Sequence, residues 1–329
     1  MSAHSAGPEV LYLGAADIAA LGIGVDEVFE ATAAILRQKA LGRTYLKPKL
    51  AVEGAQGQTA QAMVAVAEEP PLSIVKWVGV NGGNAARGMP IIHATVVLSD
   101  AETGQPRTIM NGTWLTGVRT AACSAVGARF LARADAETVA FIGCGLQAHT
   151  HLAALVAVLP GLRRARLLGR SRGPVEAFAA AVREAGLVAE VVGEAAVALA
   201  GADVVVSSVP AGAGLRAFLD PGEVAPGAFV TAVDLGRPWL GAGFRGQFDV
   251  LATDDREQSE QLAREGKMVL GGPFDAELGE LVAGIHPGRN GPQQRTGLVF
   301  AGMALADLGL AALIDRRARA AGVGRLLPA

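Results

Sequence analysis

Three charged residues stand in places where a charge is costly. Lys76 lies inside Ser73-Ile74-Val75-Lys76-Trp77-Val78-Gly79, an apolar and β-branched run. Burial there would lower the lysine pKa toward neutrality and fit it to give or take a proton. A lysine on the solvent face of a strand is the alternative reading. Arg119 lies in Leu115-Thr116-Gly117-Val118-Arg119-Thr120-Ala121-Ala122, among small and apolar neighbours. A guanidinium cannot discharge, so it must meet a carboxylate, a phosphate or a helix end, in a ligand or in the protein itself. Arg43 follows Gly42 at the end of a helical pattern, where an arginine is either solvated or reaches a substrate.

A second kind of chemistry is written in Val139-Ala140-Phe141-Ile142-Gly143-Cys144-Gly145-Leu146-Gln147-Ala148. An apolar run ends in Gly-x-Gly-x-x-Ala and a helix-like segment follows, the form of a dinucleotide-binding strand–turn–helix. Gly143 allows the tight turn, Gly145 lets backbone approach a pyrophosphate, and Ala148 lets the helix pack close to the strand. The helix N-terminus offers free N–H groups to the phosphates. With 43 glycines in the chain a bare pattern means little; the flanking strand and helix give it weight. An NAD enzyme usually has an acid at the end of the second strand. This chain has Leu168-Gly169-Arg170-Ser171-Arg172 there. Two arginines and a serine suit a 2′-phosphate, so the expected cofactor is NAD(P)H with a preference for NADP(H). A solvent loop that tolerates NAD is the alternative.

Those residues need elements to hold them. Residues 25–41 are apolar at helical spacing. Residues 73–80 and 92–99 read as strands, and residues 106–110 return from the turn at 100–104 as a hairpin. Residues 116–132 form a small-residue helix pattern leading into the glycine motif. From residue 138 strands alternate with helices, with strand candidates at 139–143, 165–169, 188–192, 202–209, 228–233 and 248–253. That alternation predicts an α/β Rossmann domain with a doubly wound parallel sheet. One more long helix is expected over 299–321, packing back onto the first block. The expected division is a substrate-binding and dimerisation domain of α+β type at 1–118 and 297–329, and a dinucleotide-binding domain at 119–296.

The 329 residues are 51% hydrophobic and 18% charged, a globular composition with ample core. A net charge of −2 points away from nucleic acid and anionic membrane as partners. No apolar run reaches the roughly 18 residues of a membrane span, and Met1 to Pro8 carry no export signal, so a cytoplasmic location is expected. The two cysteines, Cys123 and Cys144, read as buried free thiols. His149 and His151 are two apart, which is not one helix face, so no metal site is expected. Trp77 and Trp239 either line a pocket or fill core. His93 either adds a polar contact or is a satisfied strand histidine.

Taken together the chain resembles the ornithine cyclodeaminase and mu-crystallin family over nearly its whole length. The resemblance is carried by Gly42-Arg43-Thr44, the strand with Lys76, and Ala94-Thr95-Val96-Val97-Leu98-Ser99-Asp100. It continues through Leu115-Thr116 to Ala121-Ala122, the glycine motif, Gly201-Ala202-Asp203-Val204-Val205 and Ala306-Asp307-Leu308. It implies hydride transfer between a nicotinamide and the α-carbon of an amino or imino acid, in a homodimer built on the first domain. It also implies that Arg43 and Arg119 hold the α-carboxylate, bidentate guanidinium geometry being suited to that. Lys76 would bind at the imine and transfer the proton. Gly143, Cys144, Gly145, Leu146, Gln147, Ala148, Arg170, Ser171 and Arg172 are the expected cofactor-binding positions, joined by Thr120, Val209 and Asp234.

One segment departs from the family pattern. Cyclodeaminases carry Ala-Val-Gly-x-Asp-x-Pro-Gly-Lys, whose aspartate assists the amine chemistry. Here Ala232-Val233-Asp234-Leu235-Gly236-Arg237-Pro238-Trp239 puts Gly236 at the aspartate position, with Asp234 two residues earlier as a substitute. Mu-crystallin-like reductases also lack that aspartate. The first expectation is therefore a reductase of a small α-imino acid, with iminosuccinate a candidate because Lys47 and Lys49 could meet a second carboxylate. An ornithine or lysine cyclodeaminase using recycled NAD is the second, and a non-catalytic NADP-binding protein the third.

Overall fold

The computed structural model describes residues 9–55, 57–210, 214–241, 243–269 and 272–328. The segment from Met1 to Pro8, on which the expectation of a cytoplasmic location drew, lies outside the described residues. The chain divides into two compact units, Met1–Arg119 with Met303–Ala329, and Thr120–Gly302.

The first unit opens with β1 (Glu9–Leu13), α1 (Ala15–Ala20), α2 (Val25–Ala40), β2 (Thr44–Leu46) and β3 (Leu50–Glu53). It continues with β4 (Thr59–Ala67), β5 (Leu72–Val80), β6 (Ile92–Asp100) and β7 (Pro106–Asn111). Helix α3 (Thr113–Leu131) carries the chain into the second unit. The long strands are the ones with β-branched, alternating sequence. The two-sided burial of β5 shows why: Leu72, Ile74, Lys76 and Val78 point inward while Val75 and Trp77 point outward. Lys76 therefore sits on the core face, and the solvent-face alternative falls. Trp77 and His93 lie on the exposed side, so neither fills core.

The second unit runs through β8 (Thr138–Ile142), α4 (Leu146–Val158), β9 (Arg164–Leu168), α5 (Arg172–Glu184), β10 (Val188–Val191) and α6 (Ala195–Leu199). Then come β11 (Val204–Ser207), β12 (Phe229–Ala232), β13 (Val250–Thr253), α7 (Arg256–Arg264), β14 (Ala276–Glu277), α8 (Leu278–Ala283) and β15 (Thr296–Val299). Its sheet is a doubly wound parallel one with order β10-β9-β8-β11-β12-β15-β13-β14. Fully buried strands such as β8, β11 and β12 are mostly apolar, each with one hydroxyl residue, as suits parallel strands covered on both faces. Among the described residues no helix is long and apolar enough to cross a membrane.

The chain then returns to the first unit with α9 (Ala304–Ala321) and β16 (Arg325–Pro328). The first sheet has the order β16-β1-β7-β6-β5-β4-β2, with β3 on β4. Helix α9 packs on β4, β5 and β6 and against α2. At that helix crossing a Cβ on Gly309 would stand 2.8 Å from the Ala31 carbonyl oxygen, so only glycine permits the approach. The single helix expected over 299–321 is corrected here: Val299 closes β15, and the helix begins at Ala304. All four residues of β15 are buried, and a short apolar run cannot be told from helix by periodicity.

Candidate active site

In the first unit, β5, α3 and α9 bring three ionisable side chains together in the core. Lys76 Nζ donates to Asp307 Oδ1 at 2.7 Å, and both side chains are fully buried. Arg119 Nε lies 3.1 Å from the same oxygen, close enough for an ion pair but off the hydrogen-bonding angle. Arg119 Nη1 and Asp307 Oδ2 are buried without hydrogen-bond partners. Asp307 stands in the first turn of α9, where the helix dipole favours a carboxylate. Burial pulls the Lys76 pKa down from 10.5 to about 8; Asp307 opposes this, while Arg119 and then Lys49 add to it. The cluster thus holds two cations against one carboxylate, with an unpaired guanidinium N–H beside it. An arrangement of that kind favours the binding of a second anion.

Arg43 is not part of this cluster among the described contacts. Its guanidinium is half-exposed and pairs with Glu69 Oε1 at 3.1 Å. Lys49 is half-buried and Lys47 exposed. Asp307 is the residue that sequence reasoning missed. Its signal was there: an aspartate in an apolar helix stretch, with a buried lysine elsewhere that needs a partner.

In the second unit the glycine motif joins β8 to α4. Gly143 has φ +99°, and a Cβ there would stand 2.9 Å from the Ser208 carbonyl oxygen. A Cβ on Gly145 would meet nothing within 4 Å; the space it faces is open, and the backbone N–H groups of the α4 N-terminus receive no side-chain cap. Ala148 is fully buried, as close helix–strand packing requires. A cleft of about 720 Å³ opens at the carboxyl ends of β8, β9 and β11. This is the point where strand order reverses, the usual place for a ligand in such sheets. Gly143, Cys144, Gly145, Arg170, Ser171 and Val209 line it. The Ser208 hydroxyl, also in the lining, is buried without a partner. These residues fit a dinucleotide.

The other expected positions are placed less directly. Leu146 is exposed at the first turn of α4, and the Gln147 side-chain oxygen is buried without a partner. Thr120 lies in α3, half-buried. Arg172 is exposed and pairs with Glu176 at 2.6 Å. Arg216 lines the cleft together with Arg170, a second cation that the sequence did not single out. Asp234 Oδ1 accepts from Ser207 Oγ and the Gly236 N–H, and Oδ2 accepts from the Val209 N–H. That carboxylate ties the end of β12 to the end of β11, and Gly236 beside it has φ +72° and no side chain.

Trp239 is fully buried and donates to Ser207 Oγ, so it fills core. His151 is fully buried, bonded to the Gln147 carbonyl and Ser124 Oγ, and burial lowers its pKa to about 4. His149 is exposed and packs edge-on to Phe178. Cys123 and Cys144 are buried and not joined in a disulfide. Among the described residues no group of three or more potential metal ligands comes together.

Comparison with known proteins gives concordant results. The profile described as "Ornithine cyclodeaminase/mu-crystallin family" matches residues 14–322. Ketimine reductase mu-crystallin of Rattus norvegicus is 32% identical over 236 residues, 70% of this chain and 72% of the rat protein. The structure of Thermococcus litoralis Delta(1)-pyrroline-2-carboxylate reductase with NADH and L-proline superposes with a TM-score of 0.87 at 26% identity, covering 96% of this chain and 99% of that one. An archaeal alanine dehydrogenase dimer with bound NAD gives 0.88 at 27% identity, over 97% and 99%.

Proposed function

The chain belongs to the ornithine cyclodeaminase/mu-crystallin family, and on that premise we propose that it is an NAD(P)H-dependent reductase of a small α-imino acid, able to run in reverse as an amino-acid dehydrogenase. The observation that carries this reading is the charge imbalance at Lys76, Asp307 and Arg119. An α-carboxylate supplies the missing negative charge, and the unpaired Arg119 Nη1 donor supports a contact with it. Arg43 joins the carboxylate only if it leaves Glu69. A bound nicotinamide supplies the hydride. Lys76 does the rest of the chemistry: its ammonium gives a proton to the imine nitrogen as the carbon is reduced, and the neutral amine regains one from water. The glycine motif and the α4 N-terminus hold the pyrophosphate, and Asp234 keeps the Val209 backbone in position beside it.

Simple reduction is favoured over cyclisation for a physical reason. Closing a ring needs a second amine held and deprotonated near the imine carbon, and a carboxylate is the natural group for that. Gly236 has none, and both oxygens of Asp234 are engaged by Ser207, Val209 and Gly236. Lys49, near enough to Lys76 to depress its pKa, supports a substrate with a second carboxylate such as iminosuccinate. A homodimer through the first unit fits the outer face of its sheet, where Tyr45, Val52, Val64 and Trp77 are all at least half exposed.

The test follows reduced-nicotinamide absorbance with ammonium and a panel of oxaloacetate, pyruvate and glyoxylate. Oxidation of the reduced cofactor with at least one member is expected. No oxidation with any of them, together with proline or pipecolate formed from L-ornithine or L-lysine, overturns the reading. Cofactor preference is tested separately. Arg170, Ser171 and Arg216, which all line the cleft, suit a 2′-phosphate. Arg170→Ala is expected to weaken NADPH more than NADH, measured by fluorescence titration. Equal losses for both would make NAD(H) the cofactor.

A further inference from the structure

Lys76 and Arg119 are both buried cations, and like charges so placed repel. Among the described residues Asp307 is the one carboxylate paired with either. It reaches Lys76 with a 2.7 Å hydrogen bond from a helix anchored by the close crossing at Gly309. We propose that Asp307 is the positioning residue of this site: it fixes the Lys76 ammonium in place and sets how readily that ammonium gives up its proton. The proposal rests on the imine-reductase reading for the identity of the reaction, but not for the geometry.

The surroundings of Lys76 leave Asp307 as the deciding partner. From α3 comes Arg119 and from the segment between β2 and β3 comes Lys49, both of which disfavour the charged lysine. The neighbours in register on β4 and β6 are Met63 and Val96, which carry no charge. Burial also disfavours the charge. Only Asp307 favours it, by attraction and by its hydrogen bond. Removing that carboxylate while keeping the side-chain shape leaves every remaining influence pushing the lysine toward its neutral form. A residue that merely braced α9 would not do this.

The experiment measures kcat/KM for reduction against pH in the wild type, Asp307→Asn and Asp307→Glu, because this ratio reports groups of the free enzyme. The alkaline limb, where Lys76 loses the proton it must donate, is expected to move to lower pH by one unit or more in Asp307→Asn. At a pH on the wild-type limb that is a further tenfold loss. Asp307→Glu is expected to bring the limb back toward the wild-type position. A limb unmoved in Asp307→Asn, whatever the loss in kcat, overturns the proposal. Should Asp307→Asn not fold, Asp307→Ser takes its place: a limb displaced to lower pH supports the proposal and an unmoved limb overturns it.

A second measurement needs no turnover. Thermal melting of the wild type relative to Lys76→Met reads the lysine directly. Its folded pKa of about 8 lies below the 10.5 of the free side chain, so the unfolded chain binds the extra proton between those values and stability rises with pH across that window. The gain of wild type over Lys76→Met should therefore begin near pH 8. Comparing Asp307→Asn with Lys76→Met/Asp307→Asn, it should begin at lower pH. An identical onset in both comparisons overturns the proposal. A wild type that forms proline or pipecolate and does not turn over the 2-oxo acid panel, together with a displaced onset in the Asp307→Asn comparison, would refute the reaction and leave Asp307 in its role.

Discussion

Lys76→Ala is expected to bind the nicotinamide cofactor as the wild type does and to lose at least about 10²-fold in kcat for imine reduction, the scale of general acid catalysis. The cofactor cradle is built wholly from the second unit, whereas Lys76 stands in the first, so binding and turnover should separate cleanly. With a pKa near 8 the lysine is largely protonated at pH 7, the form that the proposed proton donor needs. As pH rises through 8 the reductive rate should fall and the oxidative direction, which needs the neutral amine, should gain. Stability moves the opposite way from activity. Lys76→Met leaves Asp307 and Arg119 as a matched pair and removes an ion whose charge is disfavoured by roughly 3 kcal/mol, the energy of the displacement from 10.5. The methionine variant should therefore melt higher than wild type at pH 7. Near-normal kcat in Lys76→Ala would take the residue out of the mechanism.

Arg119→Lys is expected to raise KM for the imino or amino acid by roughly 10- to 100-fold, the loss of one or two charge-assisted hydrogen bonds. The ammonium of lysine can still face Asp307, so the internal pair survives and the fold with it. What it cannot do is present a planar fork to a carboxylate. The partnerless Nη1 of Arg119 is the atom whose contact would be lost. Steady-state kinetics across substrate concentration separates the outcomes. A folded Arg119→Lys protein with unchanged KM would make Arg119 a counter-ion of Asp307 alone.

Much of this was legible in the residues themselves, and the illegible part has a physical cause. The glycine motif, the β5 strand around Lys76 and the hairpin of β6 and β7 are local patterns: their residues are neighbours in sequence, and periodicity or turn chemistry reveals them. Lys76 and Arg119 could be singled out because a charge in an apolar run is conspicuous wherever it lies. Asp307 is conspicuous for the same reason, but its pairing with Lys76 could not be read, since the two are 231 positions apart and nothing in the spacing links them. Strand β15 was hidden by its uniformly apolar character, and the short strands β1, β2, β3 and β16 by having too few residues to show a period. Arg43 shows what a motif alone leaves open. Its motif carried it into the clamp, while an exposed glutamate near at hand gave it another partner.

The chain order of the first unit also constrains how the protein is made. Its sheet and two of its cations are synthesised within the first 119 residues, but α9, with the balancing carboxylate, leaves the ribosome only after the whole of the second unit. During that interval Lys76 and Arg119 have no anion to neutralise them, and the face of β4, β5 and β6 that α9 covers has no lid. Burying two like charges without a partner is strongly unfavourable, so the nascent first unit is expected to stay unfinished while the second unit's parallel sheet forms. The expected order of assembly is inverted: the unit that begins the polypeptide should be the last to close, and a chain cut short before residue 303 should end with these charges exposed rather than with a defective but intact site.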